Sequence, residues 1–287
     1  MAPTLAVIGG SGFYAIPGLT RLETLELETP YGPPSSTLVC GQLGFIRLLF
    51  LSRHGSHHQI APHNINFRAN ICALKKAGAT HVVSLSAVGS MREAIRPGDV
   101  VIVSDYIDLT RKRTSTYFDD GIVAHVSMAI PTCPSLAESL FASAQIVGAR
   151  VHRTGTYLCI EGPQFSTRAE SLLYRSWGVD VIGMTAMPEA KLAREAELPY
   201  ATVAFVTDYD CWNESEAAVT AEQVIATSKD NAQLAPKIVS ELATRLPDPQ
   251  ASPAYGALSN AILTPPDHQP SQVEENLRWL MGDPKRR

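Results

Sequence analysis

The chain has 287 residues, of which 45% are hydrophobic and 18% charged, with a formal net charge of -4. That is enough apolar content for one large domain or two small ones with a sizeable core, and too little basic charge for a nucleic-acid surface. No apolar run reaches the roughly 18 residues of a membrane span, so neither nucleic acid nor membrane is expected as a partner.

The N-terminal MAPTLAVIGG lacks the basic start and long apolar core of a secretory leader. Cys40, Cys72, Cys133, Cys159 and Cys211 are odd in number and form no C-x-x-C pair. Reduced thiols in a cytoplasmic protein are the expectation. The first predicted element is a short buried strand over 4–10, TLAVIGG, ending in glycines. FIRLLFL at 45–51 is a second strand, ending at SRHGSHH. Over 66–77, Phe67, Ala69, Ile71 and Leu74 fall near helical spacing and Gly78 closes the segment, which reads as a helix with a glycine stop. THVVSLSAVGS follows as strand and turn, and GDVVIVS at 98–104 as a further strand. Helices are expected over 135–147, 167–178 and 187–197, and strands over 156–162, 179–185 and 200–208. Thr220, with Gln223 three residues on, is the expected N-cap of a helix over 220–246 that Pro236 kinks or splits. The six prolines of 247–270 predict an extended crossing segment or linker, and 271–282 a short amphipathic helix docking on the core or on a neighbouring subunit. Short apolar strands alternating with helices predict an α/β domain, its central mixed sheet flanked by helices, over 1–246, with 247–287 as a Pro-rich extension.

Ligands of α/β sheets sit at the carboxyl ends of strands. The segments there are GGSGF (9–13), RHGSHH (53–58), SAVGS (86–90), EGPQFSTR (161–168), GMTAMPE (183–189) and TDYDCW (207–212). Gly9, Gly10 and Gly12 make a weak dinucleotide fingerprint without its third glycine. A tight turn with exposed amides and the Ser11 hydroxyl suits an anion, and a plain turn is the alternative. His54, His57 and His58 lie close enough to raise a metal site, but no H-E-x-x-H helix accompanies them. Arg53 reads better as an oxyanion clamp, because a guanidinium meets phosphate as a bidentate fork. Ser86 and Thr185 can each add a hydroxyl and an amide. Singly, each is more often a turn or cap residue, and the inference rests on the set.

Asp208 and Asp210 share one face if the chain stays extended. One ionised carboxylate could accept from the 6-amino group of an adenine, and a second, kept protonated by burial, could donate to N7. Protonation at N7 makes the base a better leaving group, which is general acid catalysis on a glycosidic bond. Capping of the next element by one aspartate is the alternative.

The ordered segments VIGGSGF, RHGSHH, ALKKAGATHVV, GSMREAIRPGDVV, CIEGPQFSTRAES and VDVIGMTAMPEAKLAREAELPYATVAFVTDYDCW together resemble the purine nucleoside phosphorylase family, on the side of its members that cleave methylthioadenosine. The resemblance covers about 5–246. It implies a homotrimer, or a dimer of trimers, that splits 5′-methylthioadenosine with inorganic phosphate as co-substrate, giving adenine and 5-methylthioribose 1-phosphate. It implies no metal and no organic cofactor. Matched residue by residue, Ser11, Arg53, His54, Ser86, Ala87 and Thr185 fall on phosphate-binding positions. Ile182 falls among the nucleoside-contacting positions, Met184 beside the ribose, and Phe165 on the base face. Asp208 and Asp210 fall on the base-reading pair, with Asp208 nearer N7. His58, Val224 and Ile225 surround the 5′ group, and Ser166 and Ala221 sit where substrate choice is set. Gly183 replaces an asparagine and Gln164 an arginine of some members, which bears on fine discrimination.

Three other functions compete. A phosphorylase of 6-oxopurine nucleosides is opposed by Asp210, where an oxo group offers no donor, although Gly183 leaves some room for it. A nucleosidase would not need the anion clamp. A nucleoside-binding protein without turnover would not need His54 or a protonatable Asp208.

Overall fold

The computed structural model describes residues 3–10, 16, 18–213 and 233–281. The strands are β1 (Thr4–Gly9), β2 (Thr20–Leu25), β3 (Leu38–Leu43), β4 (Ile46–Ser52), β5 (His81–Ser90), β6 (Val100–Val103), β7 (Asp105–Asp108), β8 (Val151–His152), β9 (Thr156–Cys159), β10 (Val181–Gly183) and β11 (Tyr200–Asp208). The helices are α1 (Phe67–Lys76), α2 (Pro134–Ile146), α3 (Arg168–Ser176), α4 (Glu189–Glu195), α5 (233–243, in its described part) and α6 (Ser271–Met281). The N-cap expected at Thr220, with Gln223, lies outside the described residues.

Continuous apolar runs make the centre of the sheet because these strands are covered on both faces. Alternation then sorts their side chains into two layers. Ala6, Ile8, Leu49, Leu51, Val82 and Ala204 pack with α1, α4 and α6. Leu5, Val7, Leu48, Phe50, Val83 and Val203 pack with Leu136 and Leu140 of α2 and Ile238 and Leu242 of α5. Each such fully buried aliphatic side chain contributes about 1.5–3 kcal/mol.

The mixed sheet runs β2-β3-β4-β1-β5-β10-β9-β7, and β11, β6 and β8 branch from β5. Strand β5 is the junction. It pairs in parallel with β1 up to Ser84, in parallel with β11 along its length, and antiparallel with β10 from Gly89 to Ser90. Residues 85–88 therefore lie between the end of one strand partner and the start of another. Along the otherwise buried second half of β5, Ala87 is exposed and Gly89 half-buried. The two lie on one face of the strand.

The Pro-rich segment does not run extended. Residues 252–262 coil into turns held on the core by Arg194 Nη1 donating to the Pro253 carbonyl at 2.7 Å and Leu258 N to Glu197 Oε1 at 2.9 Å. Helix α6 buries Leu277 and sets Trp279 edge-on to Tyr31 and Tyr117 of the same chain.

Candidate active site

Strand β4 hands the chain to Arg53, whose backbone N–H donates to the Gly9 carbonyl at 2.9 Å, tying the ends of β1 and β4 together. The Arg53 side chain is 2% exposed. Its fork does not open towards solvent. Nε and Nη2 donate to the two oxygens of Glu189 at 3.0 and 3.1 Å, Nη2 also to Ser84 Oγ at 2.7 Å, and Nη1 to the Leu85 carbonyl at 3.1 Å. The bidentate anion clamp expected of Arg53 is thus occupied by a buried carboxylate. What Arg53 can offer an anion is its charge and the remaining Nη1 proton.

His54 follows directly. Its Nδ1 lies 2.8 Å from the Ile60 carbonyl, and a carbonyl only accepts, so the proton is on Nδ1 and Nε2 is left as an acceptor. Burial and then the Arg53 charge push His54 down to about 4, so the ring is neutral at physiological pH. His58, exposed and with a backbone φ of 56°, stacks on it at 4.3 Å.

Ser86 and Thr185, 99 residues apart, meet with their hydroxyls at 3.2 Å. The phenol of Tyr157, fully buried on β9, lies 3.0 Å from Ser86 Oγ and accepts from the Thr185 N–H at 3.4 Å. The space expected at Gly183 is not free. A Cβ there would fall 2.0 Å from the Tyr157 hydroxyl oxygen.

The aspartates come from the end of β11. The pairing slips between Val206 and Asp208, a bulge that brings Asp208 opposite Gly89. The chain does not continue extended. Asp210 has φ 48° and opens a short 3-10 turn to Trp212, so the two acids do not share a strand face. They converge by another route: Asp208 Oδ1 accepts from the Asp210 N–H at 2.8 Å, and Asp208 Oδ2 from the Thr207 hydroxyl at 2.7 Å. Asp208 is half-buried, with Oδ1 2.9 Å from where a Cβ on Gly89 would stand. Ile182 Cγ2 lies 3.2 Å from the same point, so Ile182 and Asp208 both close on the space over Gly89. Asp210 is buried and turned away, with Oδ2 accepting from Ser171 Oγ of α3 at 2.5 Å. Burial pushes its carboxyl up. An ionised Asp210 was the ground for excluding a 6-oxo group, and its surroundings work against that charge.

The remaining segments are held by Arg113. It donates to the carbonyls of Met184 and Met187 at 2.7 and 2.6 Å, to the Glu161 carbonyl at 2.6 Å, and to Glu161 Oε1 at 2.9 Å. The Met184 carbonyl is therefore engaged within the protein. Gly162 allows Met184 to lie against it, since a Cβ there would sit 2.5 Å from Sδ. Phe165 is exposed, and the neighbouring Ser166 hydroxyl is buried without a hydrogen-bond partner. Ser11, Ala221, Val224 and Ile225 lie outside the described residues.

The fold thus gathers Arg53, His54, Ser86, Ala87 and Thr185 about the middle of β5 and Ile182 and Asp208 at Gly89, with the Asp210 side chain turned to Ser171. Sequence reading missed Tyr157, Glu189, Arg113, Ser171 and Gly89. Of these, Glu189 and Gly89 lay within the collected strand-end segments and could have been weighed. The others carry no local signal.

Residues 4–244 match the family model described as the phosphorylase superfamily. The S-methyl-5′-thioadenosine phosphorylase of Thermosynechococcus vestitus is 49% identical over 286 residues, covering 98% of this chain and 99% of the relative. That of Hyperthermus butylicus is 52% identical over 244 residues, covering 85% and 88%. Among solved structures, a methylthioadenosine phosphorylase from an Antarctic soil metagenomic library superposes with a TM-score of 0.92 at 45% identity, covering 98% of this chain and 99% of that one. The Schistosoma mansoni methylthioadenosine phosphorylase in complex with adenine gives 0.81 at 32% identity, covering 97% of each.

Proposed function

The chain belongs to the phosphorylase superfamily, and on that premise we propose that it cleaves S-methyl-5′-thioadenosine with inorganic phosphate, releasing adenine and 5-methylthioribose 1-phosphate. Near full-length similarity to enzymes of that name supports the substrate. The observation that carries the mechanism is the convergence of two unlike groups on the second half of β5. A cradle of hydroxyls and positive charge gathers at Ser86, and a carboxyl pair at Gly89.

Phosphate rests against Ser86, Ala87 and Thr185, with Ser11 completing the cradle and Arg53 supplying charge. Neutral His54 presents Nε2, which accepts a hydrogen bond from a protonated phosphate oxygen and so orients the nucleophile. A phosphate oxygen forms its bond to C1′ as the C1′–N9 pair of electrons passes to the purine, through an oxocarbenium-like state. Asp208, the more accessible of the two acids, gives its proton to N7 and neutralises the leaving base. Asp210 supports it from behind through its backbone N–H. Burial pushes the Asp210 carboxyl up and Ser171 holds one of its oxygens, so Asp210 gives a weaker ground for rejecting a 6-oxo group than an open, ionised carboxylate would. Phe165 stacks on the base, Met184 packs on the ribose, and His58, Val224 and Ile225 enclose the methylthio group, with Ser166 and Ala221 tuning the choice. No step in this scheme requires a metal or an organic cofactor.

The reading includes a cytoplasmic homotrimer. Among the described residues no helix is long and apolar enough to cross a membrane. Val123, Ile130, Tyr255 and Leu263 are exposed apolar residues, and Val123 and Leu263 are joined by a backbone hydrogen bond. A second copy of the chain would cover them, and a monomeric mass by sedimentation would remove this part of the reading.

The activity is tested by free-base release from methylthioadenosine, adenosine and inosine, each with and without phosphate. Phosphate-dependent release, fastest from methylthioadenosine, is expected. Release indifferent to phosphate would overturn the phosphorylase assignment, and inosine turning over fastest would overturn the substrate.

A further inference from the structure

We propose that Tyr157 is a positioning residue of the phosphate cradle: its buried phenol donates to Ser86 and sets the Ser86–Thr185 hydroxyl pair so that one hydroxyl proton faces the anion, in a space that Gly183 keeps open. This rests on the phosphorylase reading and adds to it a residue on the far side of the cradle from the ligand.

The argument is a count of protons. Tyr157, Ser86 and Thr185 carry three hydroxyls, linked by contacts of 3.0 Å between Tyr157 and Ser86 and 3.2 Å between Ser86 and Thr185. Each hydroxyl has one proton. If Ser86 donated inward to Tyr157, Thr185 would donate to Ser86 and no proton would be left for a ligand. If Tyr157 donates to Ser86, the Ser86–Thr185 contact uses one more proton and the third is left for the anion, its competitor being the long contact from Ser86 Oγ to the Ala87 carbonyl at 3.4 Å. The surroundings select the second arrangement. The Thr185 N–H points at the phenol oxygen at 3.4 Å, which makes that oxygen an acceptor and turns its own proton towards Ser86. Burial pushes the phenol up to about 12, so it keeps its proton. Accepting from Tyr157 also strengthens Ser86 as a donor in turn, since hydrogen bonds in a chain polarise one another.

Gly183 is the second half of the device. Tyr157 on β9 and Gly183 on β10 are close neighbours, Tyr157 pairing with Val181 two residues before the glycine. A Cβ at 183 would stand 2.0 Å from the phenol oxygen and 2.6 Å from Cζ. Because Tyr157 is fully buried, its ring cannot retreat without repacking. Any side chain at 183 therefore evicts the phenol from its contact with Ser86.

Four variants test the assignment: Tyr157→Phe, Gly183→Ala, Tyr157→Leu, and Gly183→Ala in the Tyr157→Leu background. The measurements are KM for phosphate, KM for methylthioadenosine, kcat, and calorimetric titration with inorganic phosphate alone. Tyr157→Phe is expected to raise the phosphate KM and Kd by roughly 5- to 30-fold, the loss of one buried hydrogen bond, while KM for the nucleoside moves less than about 2-fold. Gly183→Ala is expected to weaken phosphate at least as much, and to cost nothing further once Tyr157 is Leu. An unchanged phosphate Kd in Tyr157→Phe would overturn the proposal. So would an equal rise in both KM values, which a merely structural role would give, or an additive cost of Gly183→Ala in the Leu background. The titration needs no turnover, so it decides on Tyr157 even if the wild-type protein releases base without phosphate, an outcome that would count against the phosphorylase reading instead.

Discussion

Two charged residues show how partners decide what a side chain can do. Arg53 is almost wholly enclosed, and Glu189 faces its fork with both oxygens. Removing one member of such a pair leaves a buried charge unmatched, which costs about 3–5 kcal/mol. The pair therefore fixes where positive charge stands, and recognition of an anion's shape falls to the hydroxyls. The two aspartates divide similarly. Asp208 is the more accessible of the two, and Asp210 is tied to Ser171 with its carboxyl pushed up by burial. An amide can keep a hydrogen bond such as that to Ser171, but it cannot transfer a proton as a carboxylic acid does. Asp208→Asn is therefore expected to lower kcat by on the order of 10²-fold or more with the phosphate KM little changed. Asp210→Asn should cost much less. Steady-state kinetics of both variants check this, and a larger loss at 210 would transfer the donor role to Asp210.

At the scale of elements, the site is the consequence of a strand that changes neighbours. Strand β5 leaves β1 after Ser84 and meets β10 at Gly89. The interval holds Ser86 and Ala87, and the bulge of β11 delivers Asp208 to its end. Gly89 is there for room. Its Cβ would press on Asp208 Oδ1, Ile182 Cγ2 and Asp210 Cβ at 2.9, 3.2 and 3.3 Å. Gly89→Ala should displace Asp208 and lower turnover by about 10²-fold. Circular dichroism should show the fold retained, and near wild-type turnover would refute the crowding argument. Helix α3 starts on a capping box of Thr167 and Glu170, and the strands that build this junction were legible in the sequence because burial on both faces writes them as unbroken apolar runs. Strand β2, TRLETL, was not, since it lies exposed at the sheet edge and carries no apolar signal. The site divided the same way. Arg53, His54, Ser86 and Asp208 announced themselves as polar residues after apolar strands. Tyr157 sits inside a strand and reads as core, and Arg113 lies in a basic stretch that reads as surface. Their roles come only from partners far along the chain.

For the molecule as a whole, buried ionisable groups link stability to pH. His54 and His81 are both held neutral, each pushed down to about 4 mainly by burial. In the unfolded chain they titrate near 6.5. The unfolded state thus binds more protons below that value. The stability they contribute is present above pH 6.5 and lost as pH falls towards 4, by about 3 kcal/mol each. Glu195 acts oppositely. Burial raises it to about 7, so its contribution is present at low pH and lost as pH rises through 7, and Asp210 acts in the same sense. The two histidines outweigh Glu195, and urea unfolding should show a net loss of stability between pH 7 and pH 4. His81→Gln should shrink that loss and Glu195→Gln enlarge it; a profile unchanged by both would show that these groups do not govern it. The distance along the chain between site partners has a kinetic side as well. Arg53 and Glu189 are 136 residues apart, and Ser86 and Thr185 are 99 apart. Contacts so remote in sequence form late in folding, because the loops they close must be ordered first. On a ribosome adding about 5–20 residues per second, the guanidinium of Arg53 waits roughly 7–27 s for its carboxylate to be made. Until then, the strand that carries it has a charge next to its end and nothing to neutralise it.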